Sequence, residues 1–309
     1  MSLLMLDRDN GHATSTATTS SPSATSLSTS SVTAATSSTT TAASTTTASA
    51  PAPSTTAPPA ATTTTAAPRR QMFALQTDGL AAMNSDGTGA RLLVAGLFRN
   101  TDLSPDRSWL VMKQWSGQAW NRLVTINADG TNLRVIATGS WQSARISPDS
   151  TKIAAVEMND ALGPLLVIMK RDGTSQQRVD LPGGYRTNQV DWSPDGRKLA
   201  VTNSSSNGLA IYDLAAHTQT WILEARGTVW SPQWSPDGSL IAFNNGDDIV
   251  VIPAGGGTSR TVTSTPADPA FTWDGPQSLL FADHSTLYRI GVDGAGLTKI
   301  ATGFRDPAS

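Results

Sequence analysis

The chain has 309 residues, with 22 Lys and Arg against 24 Asp and Glu, 3 His and no Cys. So even a charge balance gives no long-range attraction for nucleic acid or an anionic membrane, and nucleic acid is excluded as the expected partner. Without Cys there are no disulfides, thiolate metal sites, Cys nucleophiles or lipid attachment through sulfur, while the redox compartment stays open.

At the start, Leu3-Leu4-Met5-Leu6 is an apolar run that stops at Asp7. A secretory signal needs roughly 7 to 15 apolar residues and a membrane span about 20, so the run fits neither and is expected to be the stub of a longer export signal or anchor. From Asn10 to Pro68 there is no Asp, Glu, Lys or Arg, and nearly every residue is Ser, Thr, Ala or Pro. Such a stretch has too few large apolar side chains to offset a backbone ordering entropy of about 1 kcal/mol or more per residue. Residues 1–69 are therefore expected to be a disordered stalk or linker, of a composition also found in O-glycosylated stalks, preceding a folded domain over 70–309.

From Arg70 onward a repeat of about 40 residues sets in. Met72-Phe73-Ala74-Leu75 reads as the second strand of a unit whose first strand is missing, and Leu80 to Met83 is its third. A Ser-Pro-Asp turn then recurs: Leu103-Ser104-Pro105-Asp106-Arg107, Ile146-Ser147-Pro148-Asp149-Ser150, Trp192-Ser193-Pro194-Asp195-Gly196, Trp234-Ser235-Pro236-Asp237-Gly238, and a degenerate Trp273-Asp274-Gly275. Pro presets φ for a tight turn that Asp and Gly complete, and apolar runs flank it, so each copy predicts a hairpin. A second series of turns falls between those copies, at Asn84-Ser85-Asp86-Gly87-Thr88, Asn127-Ala128-Asp129-Gly130-Thr131, Lys170-Arg171-Asp172-Gly173-Thr174 and Val292-Asp293-Gly294. Asp-Gly between apolar runs is a strong hairpin signal because the turn needs positive φ. Ala215-Ala216-His217 and Gly255-Gly256-Gly257 occupy the same place in two other units, the former as a less typical turn.

Two turn series on one period predict an all-β, six-bladed β-propeller of four-stranded blades, lettered a to d from inside to outside. Six third strands can be counted, at Leu80–Met83, Arg122–Ile126, Leu165–Met169, Leu209–Asp213, Asp248–Ile252 and Leu287–Gly291. Inner hairpins number one fewer. Gly303-Phe304-Arg305-Asp306-Pro307 echoes Leu97-Phe98-Arg99-Asn100, so the C-terminal strand is expected to supply the missing inner strand of the first blade and close the ring.

The Trp192-to-Val201 and Trp234-to-Phe243 segments resemble the TolB-type, WD-like β-propeller repeat, in which an aromatic-Ser-Pro-Asp-Gly turn joins the two inner strands of each blade. The resemblance covers essentially everything after Arg70. It implies a six-bladed ring with an interaction role outside the cytoplasm, as in the periplasmic Tol-Pal envelope system. This chain departs from that system's proteins in carrying a Ser/Thr stalk where they have a further folded domain.

Strand order places the a–b and c–d turns on one face, expected to be tight and to offer little hold on a ligand. The b–c and d–a connections form the other face and collect aromatic and Arg side chains, the usual anchors of recognition. The predicted binding face consists of Trp115, Trp120, Trp141, Tyr185 and Trp230 with Arg99 and Arg186; Trp192, Trp234 and Trp273 are expected to pack between blades. The expected function is a non-catalytic module, periplasmic or on the cell surface, that binds a protein, with a peptide or glycan as other ligand classes. No cofactor is expected. The alternative is a metal-dependent hydrolase or lyase with its site at the central channel, where Asp247, Asp248 and Asp268 are the candidate carboxylates. Against it, His12 lies in the stalk and His217 at a turn, which leaves His284 alone, and there is no Gly-x-Ser-x-Gly nucleophile elbow.

Overall fold

In the computed structural model, the described residues are 71–76, 78–84, 89–159, 161–182, 186–203, 208–224, 229–264, 270–283 and 286–302. Among them are six antiparallel sheets, each a blade of an all-β propeller. The first blade has three strands, β1 (Gln71–Leu75), β2 (Gly79–Asn84) and β3 (Arg91–Ala95). Four strands build each of the others. The second holds β4 (Phe98–Leu103), β5 (Trp109–Gln114), β6 (Arg122–Asn127) and β7 (Arg134–Thr138), and the third β8 (Ser140–Ile146), β9 (Lys152–Asn159), β10 (Gly163–Lys170) and β11 (Gln177–Val179). The fourth holds β12 (Gln189–Trp192), β13 (Lys198–Asn203), β14 (Gly208–Asp213) and β15 (Thr218–Glu224). The fifth comprises β16 (Val229–Trp234), β17 (Leu240–Asn245), β18 (Asp248–Pro253) and β19 (Arg260–Ser264), and the sixth β20 (Phe271–Trp273), β21 (Ser278–Asp283), β22 (Thr286–Gly291) and β23 (Thr298–Thr302).

Within a blade the strands pair in chain order, as hairpins must when each turn is short. Successive side chains of a strand point to opposite faces, and both faces of a middle strand are buried, so these strands read as continuous apolar runs. On β5, Leu110 and Met112 pack with the first blade while Trp109 and Val111 pack with the third. On β9, Ile153 and Ala155 turn toward the second blade, and Ala154 and Val156 toward the fourth. Five apolar clusters of this kind each straddle two consecutive blades. Burying side chains the size of Leu110 or Phe243 contributes about 1.5–3 kcal/mol each, which makes the seams the core of the domain.

The Ser-Pro-Asp turns share one hydrogen-bond pattern. The Ser hydroxyl donates to the Asp two residues on, at 2.5 Å from Ser104 and Ser147 and 2.6 Å from Ser193 and Ser235. The same hydroxyl accepts the N–H of the residue that opens the next strand, Trp109, Lys152, Lys198 or Leu240, at 2.9–3.0 Å. Thus one buried hydroxyl locks the turn and sets the register of the inner hairpin. Trp192 and Trp273 are buried between blades and donate their indole N–H to the carbonyls of Arg145 and Gln233 in the preceding blade, at 3.0 and 3.1 Å. Trp234 packs at the seam of the fourth and fifth blades.

Another device joins blades at the outside. In five blades strand d carries one extra residue, and the bulge falls at Leu93, Ile136, Ile222, Val262 and Ile300. Four of these residues lie against the c–d turn of the next blade, at Gly130, Gly173, Gly256 and Gly294. A Cβ on Gly173, whose φ is +80°, would stand 2.2 Å from the Ile136 carbonyl oxygen, so only glycine fits.

β1 pairs with β2, and its other edge has no partner among the described residues. Residues 303–309, expected to close the ring there, lie outside the described residues, as does the Ser/Thr-rich segment 1–70. Among the described residues there is no helix long and apolar enough to cross a membrane.

Candidate functional site

The antiparallel order of every blade puts the b–c and d–a connections on one face, and that is where the second blade gathers a compact polar-aromatic group. Phe98 is buried at the start of β4, which turns the next residue, Arg99, outward. Arg99 sits opposite Lys113 of β5 in the ladder. Beyond β5 the chain makes a short loop: the Trp115 N–H donates to the Leu97 carbonyl at 3.0 Å, and the Ser116 N–H to the Ala119 carbonyl at 2.9 Å. That turn brings Trp120 back onto Trp115, with ring centroids 5.5 Å apart and planes at 63°. The Arg99 guanidinium carbon lies 4.3 Å from the Trp120 ring centroid. Such a cation–aromatic contact contributes about 0.5–1 kcal/mol when exposed and more when desolvated.

Two cations share this platform. Burial, and then the like charge of Arg99, push the Lys113 ammonium below its ordinary range. Among the described residues no carboxylate pairs with either one. The arrangement holds flat apolar area beside uncompensated positive charge, which suits an anionic group carried on a larger partner.

The other expected site residues divide. Trp141 is 3% exposed and packs with Trp109, Val111 and Ile146 between the second and third blades, so its ring presents no area to a ligand. Trp230 is half-buried on β16, and its indole N–H is shielded without an acceptor among the described residues. Arg186 stands at a different seam, lining a cleft of about 210 Å³ with Pro164, Leu181 and Thr187. Tyr185 lies outside the described residues. Three of the seven are therefore brought together, with Arg99 and Trp115 each in contact with Trp120. Lys113 opens the same connection, but its pairing with Arg99 could not be read along the chain, because it depends on register across a bulge.

The turn face corrects the expectation that it offers little hold. A cleft of about 440 Å³ opens there between the second and third blades, and one of about 550 Å³ between the third and fourth. Tight turns leave room because the grooves run between blades rather than within them. In the second cleft the Tyr212 hydroxyl lies 3.0 Å from His217 Nδ1. Burial, with Asp180 and Asp213 nearby, pushes that hydroxyl's pKa up and keeps it protonated.

As for metals, Asp248 accepts a hydrogen bond from the Ser264 hydroxyl at 2.6 Å, while Asp268 and His284 lie outside the described residues. Among the described residues no group of three or more His, Asp or Glu side chains is placed to hold an ion.

The fold is that of TolB-like six-bladed β-propellers. Among solved structures, TolB from Acinetobacter baumannii superposes with a TM-score of 0.61 at 17% identity, over 76% of this chain and 64% of that one. A putative TolB from Agrobacterium tumefaciens does so with a TM-score of 0.59 at 18% identity, over 77% of this chain and 91% of that one. Oligogalacturonate lyase from Vibrio parahaemolyticus gives a TM-score of 0.56 at 12% identity, over 76% and 74%. The chain thus spans less than two thirds of the Acinetobacter structure, and at these identities what is shared is the fold, which by name also serves an enzyme. No family model matches the chain, and no curated protein does.

Proposed function

We propose that the protein is a non-catalytic binding module, in the periplasm or on the surface of a bacterial cell, that holds an acidic segment of a protein partner on the b–c and d–a loop face. The observation that carries this reading is the Arg99–Trp120–Trp115 stack beside Lys113, a rigid aromatic platform bearing two cations without a carboxylate partner among the described residues. Rings held by each other and by a guanidinium lose little freedom on binding, and the unbalanced charge selects a carboxylate-bearing ligand. Likeness in fold to the TolB structures and the charge-free Ser/Thr/Pro-rich stretch before the propeller support the extracytoplasmic setting.

The test uses the full chain as bait in parallel with a variant carrying Trp115→Ala and Trp120→Ala. Proteins retained by the first and lost from the second, with equal melting temperatures, are the expected result, and their retention should weaken as salt is raised. Equal capture by both baits, or an unfolded variant, would refute the reading.

A further inference from the structure

The strand d bulge is missing from one blade, and a cleft stands at its seam with the next. Strand d of the third blade, β11, pairs with β10 without the extra residue found in the other five blades. The c–d turn of the next blade also departs from the pattern: Ala216 occupies the place of Gly130 and Gly173, and the Asp213 carboxylate accepts the N–H groups of both Ala215 and Ala216. At the neighbouring seam Ile136 lies against Gly173 beside the cleft of about 440 Å³; here strand d has no bulged residue to meet the turn, and the cleft is about 550 Å³.

Its walls have two characters. Ile168, Val179, Trp192 and Leu214 form an apolar floor, and the Tyr212–His217 pair supplies hydrogen-bonding atoms at one side. Lys152, Lys170 and Arg178 stand around the rim, where Asp180 is the lining carboxylate and Asp149 and Asp172 lie near enough to feel the charge of Lys152 and Lys170. Arg178 and Asp180 form an ion pair at 2.8 Å, with side chains 40% and 79% exposed, so the pair is solvated and its loss costs little. Both lysines are exposed. The volume falls within the range of small-molecule sites, and a mostly apolar floor with a few convergent polar groups is the usual make-up of one.

We infer that the seam between the third and fourth blades is a second binding site, separate from the loop face, for a small organic anion with a flat apolar body. The ring or chain would lie on Ile168 and Trp192, and the anionic head would meet Lys152 and Lys170. Carboxylates and phosphate esters share this chemistry.

Titrating the full-length chain with phenyl phosphate, benzoate, phenol and inorganic phosphate, and following amide shifts of residues 168–180 and 212–217, tests the site and separates the two head groups. Saturable shifts are expected for phenyl phosphate or benzoate, with phenol and inorganic phosphate at least about tenfold weaker, since each lacks one half of the contact. The double substitution Lys152→Gln and Lys170→Gln should weaken the organic anion about tenfold, and Gln177→Trp, at an exposed position on the cleft wall, should block it. Shifts that do not saturate, that are matched by inorganic phosphate alone, or that survive both variants would overturn the assignment.

Discussion

Asp191, buried on the inner strand of the fourth blade, accepts the backbone N–H of Trp234 in the fifth blade at 2.8 Å. Its other oxygen lies 3.7 Å from Arg145 Nε of the third blade, so one carboxylate ties three blades together. Asp102 repeats the first half of this contact by accepting the Ile146 N–H at 2.7 Å. Gln233 takes the same position one blade on and donates to the Phe271 carbonyl at 2.8 Å. Replacing Asp191 by Ala strands a buried N–H and a guanidinium, and should cost about 3–5 kcal/mol in urea unfolding. Asp191→Asn keeps an acceptor and should cost less. Equal losses would show that packing, rather than the hydrogen bond, is what Asp191 provides.

Trp141 and Trp120 should behave oppositely. Trp141 fills a seam, so Trp141→Ala is expected to lose about 3–5 kcal/mol of stability. Trp120 lies on the loop face against Arg99, so Trp120→Ala should move the melting temperature by only a few degrees while weakening partner binding. Thermal melts of the two variants side by side decide this.

The four Ser-Pro-Asp turns make the domain acid-sensitive. Partial burial raises the pKa of Asp106, Asp149, Asp195 and Asp237, but hydrogen bonds from Ser104, Ser147, Ser193, Ser235 and their neighbours outweigh it, and each carboxyl ends below its ordinary value. A carboxyl depressed in the folded state adds stability above its unfolded pKa, about 3.9, and that stability is lost as pH falls through the folded value. Stability should therefore be flat from pH 5 to 7 as far as these groups go, and decline below about pH 4. Ser147→Ala with Ser193→Ala should lower stability at neutral pH by about 1–2 kcal/mol per site and make the decline shallower. A parallel pH profile in that variant would refute the linkage.

Deleting residues 303–309 tests ring closure. β1 has a free inner edge among the described residues, and an open edge leaves backbone N–H and C=O groups unpaired. The truncated chain should melt lower and be prone to association, and an unchanged melting temperature would mean that the tail does not pair with β1.

Much of the propeller is legible along the chain because its determinants are local. Ser193 and Asp195 act on residues no more than five positions away, so the turn shows as a word in the sequence. The candidate site was legible only in part. Arg99, Trp115 and Trp120 could be placed on one face from strand order, yet Trp141 has the same address and a different fate. No pattern around Trp141 announces that Ile146, Val111 and Trp109 will cover it, since two of those residues come from the preceding blade.

By itself the sequence determined the number of blades, the strand order and the turn chemistry. These follow from alternation, turn residues and one period, all properties of neighbouring positions. Only the tertiary structure decided which rings are core and which are surface, and which residues face the clefts between blades. Those outcomes depend on side chains about 40 residues apart, such as Ile136 against Gly173, coming together when one blade packs on the next. Close packing across a seam is a relation between two surfaces, and no single stretch of chain contains both.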